Sequence, residues 1–249
     1  MLKINFLWIG DSIGKNGQLT LKSFLDNGHQ PVLWAYDLNC RNVPDGVLVK
    51  DAAEIIPRSE IFVYEGNGDC RKGSLGGFSD LFRYTLLQKI NGGWYCDMDV
   101  CCLSSFNDLD SLPYVIRPNN VTKVTANIIK VPENADLLID CIRETKEQVV
   151  SDNYRWIKPV EIFRDNVFKH KLDQYIVPTI YFGNDDIEQI KNYVSVGYYK
   201  KKFELPLYAL HWCNEAVSSG TWDKTIKRNW ETPTSLTLFS KLLKQHQIV

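Results

Sequence analysis

Apolar side chains recur every three to four positions from residue 78 to residue 90, which predicts a helix with one apolar face. Asp80 and Arg83 fall together on the other side of this helix. We expect Ser79 to cap the helix start and Gly92-Gly93 to end it, because glycine readily adopts the positive φ of a sharp turn. The apolar face consists of Phe78, Leu81, Phe82, Thr85, Leu86 and Ile90.

A short apolar run, Trp94-Tyr95-Cys96, follows the two glycines and predicts a buried strand. Side chains alternate along extended chain, so Asp97 and Asp99 are predicted to point to one side while Met98 turns away. In open α/β sheets, ligands bind outside the carboxyl ends of the strands. The pattern therefore places two carboxylates at a candidate ligand site.

Other apolar runs extend the predicted sheet. Strands are predicted near residues 3–9, 31–36 and 61–64, alternating with helical stretches as in a nucleotide-binding α/β half. Later strands are predicted near residues 114–117 and 126–131, and a helix near residues 135–149. The fold class predicted from this order is α/β.

Composition fits one large α/β domain. The chain has 249 residues, and its 44% hydrophobic content is sufficient for a full core. A net charge of −1 makes nucleic acid an unsuitable partner, since binding to a phosphate backbone needs a basic surface. The seven cysteines show no paired spacing of a zinc site and indicate a reducing compartment.

No apolar run approaches the length of a membrane span, so we expect a cytoplasmic protein of bacterial or viral origin. The tail, residues 233–249, is predicted to form an amphipathic helix. Two placements of this helix remain open. It packs back onto the domain, or it lies on the inner face of a membrane that carries a lipid-linked substrate.

The two carboxylates suggest a particular ion. Carboxylate oxygens bind hard divalent cations such as Mg²⁺ and Mn²⁺, which keep coordination positions for phosphate oxygens. The tripeptide from Asp97 to Asp99 alone is also typical of a solvated turn. The residues around it decide between these readings.

The segment from residue 79 to residue 100 resembles the sugar-binding region of the DXD-containing glycosyltransferases. The shared signature is Ser-Asp-x-x-Arg-Tyr, followed by Gly-Gly-x-Tyr-x-Asp-x-Asp-Val. Weaker similarity extends to residues 4–10, 31–37, 126–129 and 177–182. This resemblance implies a GT-A-type single domain with a central mixed, mostly parallel sheet flanked by helices. Residues 1–103 would form the nucleotide-sugar half and residues 104–232 the acceptor half.

The resemblance also implies an activity. It would be a metal-dependent transfer of a sugar from a nucleotide diphosphate sugar, such as a UDP-hexose, to a glycan or lipid-linked acceptor in polysaccharide biosynthesis, with retention of configuration. In that family pattern Asp99 would bind Mn²⁺ or Mg²⁺ directly, and Asp97 would hold metal water or the donor ribose. Asp80 and Arg83 would grip the transferred sugar; the alternative is an exposed ion pair on a helix.

More distant residues complete the implied site. Trp8 would stack on the nucleotide base, or else pack under the first strand. His211 would be a third metal ligand, or else a buried histidine bonded to the backbone. Trp222 would lie near the donor phosphates.

Three mechanistic alternatives stay open at this stage. An inverting enzyme would need a carboxylate base, for which the candidates are Glu161, Asp185, Asp186 and Glu215. A phosphatase with an aspartate nucleophile also uses paired aspartates at a strand end. A nucleotide-sugar binding module without catalysis would use the same residues.

Overall fold

A computed structural model of the chain describes residues 1–66, 71–151, 154–183, 195, 207–213 and 237–248. The α-helices in this part of the chain are α1 Lys15–Asp26, α2 Gly76–Lys89, α3 Asp136–Thr145, α4 Lys158–Lys169 and α5 Leu238–Gln245. The strands are β1 Lys3–Trp8, β2 Gln30–Ala35, β3 Leu48–Asp51, β4 Gly93–Cys96, β5 Val100–Cys102, β6 Val115–Asn119, β7 Lys123–Val131 and β8 Ala209–His211.

Six of these strands form one mixed sheet in the order β3-β2-β1-β4-β7-β6. The first four are parallel to one another, and β7 and β6 join in antiparallel pairs. A second, two-stranded sheet pairs β5 with β8. The predicted fold class, a mostly parallel mixed sheet flanked by helices, is confirmed. From β1 the chain first adds β2 and β3 on one side and then adds β4 on the other side. Between β1 and β4 the connections therefore leave in opposite directions, and the carboxyl ends of these two strands border the crevice where such sheets bind ligands.

Apolar side chains fill both faces of the sheet. On one face, α2, α3 and α4 pack together, and the rings of Tyr84 and Phe163 stack with centroids 6.0 Å apart. On the other face, Phe24 of α1 contacts Phe6 and Phe106 at centroid distances of 5.2 and 5.3 Å. The sheet edge that carries Asp97 is therefore supported from both sides.

The boundaries of α2 differ from the prediction at one end. The helix begins at Gly76, so Ser79 lies inside its first turn and does not cap it. At the other end Gly92 and Gly93 have φ angles of +92° and +112°, as predicted. A Cβ at Gly92 would also come within 2.7 Å of the Pro132 backbone, so a side chain there is excluded by space as well.

The predicted strand at residues 61–64 is wrong, because the place beside β2 belongs to β3. Tyr64 instead exchanges backbone hydrogen bonds within a loop: its N–H donates to Ser74 and its carbonyl accepts from Gly73. The edge strand β3 is exposed on Leu48 and Val49, so the alternation of apolar and polar residues that would have revealed it is missing.

The tail helix α5 packs back onto the domain. Thr237 and Ser240 form a capping box at its start, and its apolar residues Leu238, Phe239, Leu242 and Leu243 are buried. The Phe239 ring contacts Trp212 edge to face at a centroid distance of 5.2 Å. The apolar side of α5 is thus covered by protein, which favours the first of the two placements. None of the described helices has the length and apolar character that crossing a bilayer requires.

His29 makes folding stability depend on pH. It is 1% exposed, and its Nε2 accepts a hydrogen bond of 3.0 Å from the Phe106 N–H. Burial lowers the pKa of His29 to about 4, below its ordinary value of 6.5. As pH falls, the unfolded chain therefore binds the proton before the folded protein does. The contribution of neutral His29 to the free energy of unfolding is complete above pH 6.5 and is lost as pH falls toward 4, and the total loss is about 3 kcal/mol.

We expect His29→Gln to flatten the pH dependence of the free energy of unfolding, because glutamine keeps a hydrogen-bond acceptor without titrating in this range. Urea unfolding of both proteins between pH 4.5 and 7.5 measures the difference. Parallel stability curves for the two proteins would contradict the assignment.

Candidate active site

Asp97, Asp99 and His211 form a group that could hold a metal ion. Each offers a ligand atom, and these atoms lie within 4.8 Å of one another. His211 Nε2 is 3.2 Å from Asp99 Oδ1. Two carboxylates and an imidazole are a suitable ligand set for Mn²⁺, so the residues fit the metal that the sequence implied.

Strand pairing explains how the distant histidine reaches the two aspartates. Asp97 directly follows β4, and its N–H donates to the Asn127 carbonyl on β7 at 2.8 Å. Asp99 directly precedes β5, whose first residue, Val100, pairs with His211 on β8. The Trp212 N–H then donates to the Asp99 carbonyl at 2.9 Å. The β5-β8 pair is therefore the element that completes the group.

Met98, the residue between the two aspartates, is anchored to α1 and also contributes to the cavity lining. The Met98 side chain packs toward α1, where its Cε lies close to Gly17. Its carbonyl accepts a hydrogen bond of 3.0 Å from Thr20 Oγ1. The predicted alternation along extended chain is wrong: residues 98 and 99 form a turn, and the two carboxylates come together at this turn.

Arg83 joins the helix to the strand end. Its guanidinium lies 3.2 Å from Asp80 Oδ1 and 2.9 Å from Asp97 Oδ1, and it also donates to Ser79 Oγ at 3.0 Å. The Arg83 side chain is 5% exposed, so the reading of Asp80 and Arg83 as an exposed helical ion pair is wrong. The guanidinium carbon also lies 5.0 Å from the centroid of the Tyr95 ring. Sequence spacing showed which face of α2 these residues share, but not that this face is covered.

Burial and charge shift the pKa values of these groups in opposite directions. Burial raises the pKa of Asp80 and of Asp97, while Arg83 lowers both and Asp99 adds to the increase at Asp97. Burial alone would lower the pKa of Arg83, but Asp97 and Asp80 raise it, so the guanidinium stays charged. Asp80 and Asp97 share this guanidinium, and Asp99 adds a further carboxylate beside them. A divalent cation would balance the remaining negative charge.

A cavity of about 790 Å³ opens over this cluster. Its lining includes Trp8, Asp80, Arg83, Asp97, Asp99 and His211, so the structure brings six of the seven residues expected from the sequence into one cavity. Trp8 is partly exposed at the end of β1, and its indole N–H has no hydrogen-bond partner among the described residues. The seventh residue, Trp222, lies outside the described residues.

Of the candidate bases for an inverting reaction, only Glu161 falls within the described residues, and it does not line the cavity. Glu161 forms an ion pair with Arg155 at 2.9 Å, and Arg155, not Glu161, lines the cavity. Asp185, Asp186 and Glu215 lie outside the described residues.

Sequence reasoning missed a neighbour of the candidate histidine ligand. Cys213 Sγ lies 3.2 Å from His211 Nδ1, on the ring nitrogen that faces away from Asp99. A contact to that nitrogen helps fix the ring orientation of a ligating histidine. The only signal in the sequence is the spacing of two residues between His211 and Cys213, and this signal is weak because β8 ends at His211 and Cys213 has a φ of +50°.

No protein-family model matches the sequence, and no curated protein matches it. Solved structures of similar fold do exist. The galactosyltransferase LgtC, in complex with donor and acceptor sugar analogues, superimposes with a TM-score of 0.55 at 12% identity, covering 100% of this chain and 97% of LgtC. The WbbM bifunctional glycosyltransferase superimposes with a TM-score of 0.50 at 9% identity; all of this chain matches 52% of WbbM. At these identities the similarity concerns the fold, and the chain has a GT-A-like fold.

Proposed function

Starting from the GT-A-like fold, we propose that the chain is a metal-dependent glycosyltransferase. It would move a sugar from a nucleotide diphosphate sugar, a UDP-hexose, to a glycan or lipid-linked acceptor in polysaccharide biosynthesis. The observation that carries this proposal is the meeting of Asp97, Asp99 and His211 in one cavity with Asp80 and Arg83.

The metal ligands would be Asp97, Asp99 and His211, and the ion Mn²⁺ or Mg²⁺. A bound divalent cation supplies Lewis-acid stabilisation of the departing diphosphate. Arg83 bonds to Asp97, so it also limits how that carboxylate can rotate. A metal ligand fixed in this way loses little entropy when the donor binds.

Asp80 and Arg83 would bind neighbouring hydroxyls of the transferred sugar, because a carboxylate and a guanidinium fork together match two adjacent hydroxyl groups. Trp8, which is partly exposed at the end of β1, would stack on the nucleotide base. Trp222 would approach the donor phosphates.

We also propose retention of anomeric configuration. Among the described residues that line the cavity, the carboxylates are Asp80, Asp97 and Asp99, and each is engaged with Arg83 or with the candidate metal group. Retention by attack from the leaving-group side needs no separate carboxylate base, because a phosphate oxygen of the donor can take the proton of the acceptor hydroxyl.

Hydrolysis of a nucleotide-sugar panel tests the function without knowledge of the acceptor. The panel of UDP-hexoses and other nucleotide sugars is incubated with Mn²⁺, with and without a chelator. We expect release of nucleoside diphosphate and free sugar that stops when the metal is removed. Release of inorganic phosphate with a phosphorylated Asp97 would indicate the phosphatase instead. If no nucleotide sugar is bound or cleaved, the transferase proposal fails.

A further inference from the structure

A second tryptophan, Trp156, lines the same cavity, in the short segment before α4. It is partly exposed and forms one wall of the cavity with Arg71, while Tyr64, which contacts Trp156, is buried and does not line the cavity. The rings of Tyr64 and Trp156 meet edge to face at a centroid distance of 5.6 Å. The Arg71 guanidinium carbon lies 5.4 Å from the Trp156 ring centroid. The roles proposed above use none of these three residues.

The Trp156 ring is held in place by close contact with the start of α2. A Cβ at Gly76 would lie 2.6 Å from Trp156 Cη2, which is closer than atoms can approach. The indole therefore occupies space that any other residue at position 76 would need. This contact also fixes a position along the helix: Gly76 precedes Asp80 by four residues, about 6 Å along the axis. Trp156 thus contacts α2 about one helical turn before Asp80.

Hydrogen bonds hold the rest of the wall. Tyr64 Oη donates to the Tyr154 carbonyl at 2.8 Å, which ties the segment before Trp156 to the loop that carries Arg71. That loop is closed by backbone bonds of 2.8 Å between Tyr64 and both Ser74 and Gly73. An aromatic ring fixed in this way can bind a ligand without losing side-chain entropy of its own.

The cavity lining contains two chemically different groups of residues. One is the candidate metal group with the Asp80-Arg83 pair. The other comes from the chain around Trp156, from the segment before α2 and from α4, and it combines the indole with Leu75, Val160, Arg71 and Arg155. An aromatic face with hydrogen-bond donors beside it matches a pyranose, which has an apolar face of C–H groups and a rim of hydroxyls.

We propose that Trp156, Arg71 and Gly76 form the binding subsite for a saccharide acceptor. The ring of Trp156 stacks on the apolar face of the sugar, and Arg71 donates to its hydroxyls. The absent side chain of Gly76 leaves room for the indole. The role as acceptor rests on the proposed transferase function, whereas the binding of a saccharide at this wall is measurable without turnover.

Saccharide titration followed by NMR tests the subsite directly. The Trp156 indole N–H resonance is identified by its absence from the spectrum of Trp156→Phe. The probes are methyl α- and β-glucoside, methyl α- and β-galactoside, methyl α-mannoside, lactose and maltose, each added in the presence of UDP and Mg²⁺. We expect at least one of them to shift the Trp156 resonance. Failure of the whole panel to shift it would overturn the proposal.

Three substitutions distinguish stacking of the sugar on Trp156 from a general loss of structure. Trp156→Ala and Gly76→Ala should each weaken the Kd for the responding saccharide at least tenfold more than the Kd for UDP. Trp156→Phe should restore most of the affinity, because a smaller aromatic face can still stack. Equal losses for saccharide and UDP in both alanine variants would show a nucleotide site or a folding defect, and the proposal would then be wrong.

Phe168→Ala serves as the matched control. Phe168 is an exposed aromatic on α4 with Lys123 over its ring at 5.4 Å, but it lies outside the cavity. This variant should bind the saccharide as the wild type does. The hydrolysis assay on the nucleotide-sugar panel, run on wild type without saccharide, reports the proposed function separately. If no nucleotide sugar is hydrolysed, the proposed transferase function is wrong. The saccharide titration still tests whether a saccharide binds at Trp156.

Discussion

Replacement of Asp99 by alanine is expected to lower metal-dependent hydrolysis of nucleotide sugars by at least about 100-fold, or roughly 2.7 kcal/mol of activation free energy. Asp99 lies two residues after Asp97 and directly before β5, and its Oδ1 is 3.2 Å from His211 Nε2. Its loss would leave one carboxylate and one imidazole, too few ligands to hold a hard divalent cation tightly.

Metal binding gives this prediction a readout besides activity. Titration of Mn²⁺ into the protein, followed by the EPR signal of free Mn²⁺, should show at least tenfold weaker binding in Asp99→Ala than in wild type. Asp108→Asn, which removes an exposed carboxylate outside the cavity, should leave both Mn²⁺ affinity and hydrolysis unchanged. Wild-type Mn²⁺ affinity in Asp99→Ala would place the metal elsewhere.

Replacement of Arg83 by methionine is expected to destabilise the fold by about 3 kcal/mol and to abolish hydrolysis. Methionine fills similar space but removes the positive charge that Asp80 and Asp97 share at 3.2 and 2.9 Å. Removal of one partner leaves the others as uncompensated charges in a site where burial already raises the pKa of both carboxyl groups. Urea unfolding at neutral pH measures the loss of stability.

The same chain provides a matched control for this pair. Asp140 and Arg143 on α3 have the same spacing of three residues, with an N–O distance of 2.9 Å, but the Arg143 side chain is 48% exposed. Exposed ion pairs of this kind contribute little to stability. We therefore expect Arg143→Met to change the unfolding free energy far less than Arg83→Met. Equal effects of the two substitutions would show that the burial of Arg83 has no energetic consequence.

Arg83→Lys separates stability from sugar binding. Lysine keeps a positive charge near the carboxylates but lacks the planar fork of donors. Most of the stability should therefore return while hydrolysis remains impaired. Recovery of full hydrolysis in Arg83→Lys would mean that a positive charge at this position is sufficient for hydrolysis and that the guanidinium geometry is not needed.

Local patterns identified the centre of the candidate site because its elements are continuous in sequence. The apolar spacing of α2 and the positive φ at Gly92 and Gly93 are set by neighbouring residues, and the two aspartates follow β4 closely in the chain. Together they place Asp80, Arg83, Asp97 and Asp99 in one stretch of chain. Family resemblance then added Trp8 and His211, which no local pattern could have connected to that stretch.

Predictions were less accurate where an element depends on what covers it. The edge strand β3 is too exposed to carry an alternating pattern, and the apolar run at residues 61–64 forms a loop because its backbone bonds go to residues 73 and 74. The placement of α5 stayed open because an amphipathic helix can cover a protein or a lipid surface equally well. Contact with Trp212 favours the protein surface.

The sequence by itself determined the α/β order of elements and the two aspartates that follow a strand, since both depend on periodicity and turn chemistry. Only the tertiary structure decided that Arg83 is buried between Asp80 and Asp97, and that pairing of β5 with β8 brings His211 to Asp99. It also decided that Trp156 rests against Gly76. The last two contacts join residues far apart in the chain, and the burial of Arg83 depends on what packs over it. A linear pattern of residues contains neither kind of information.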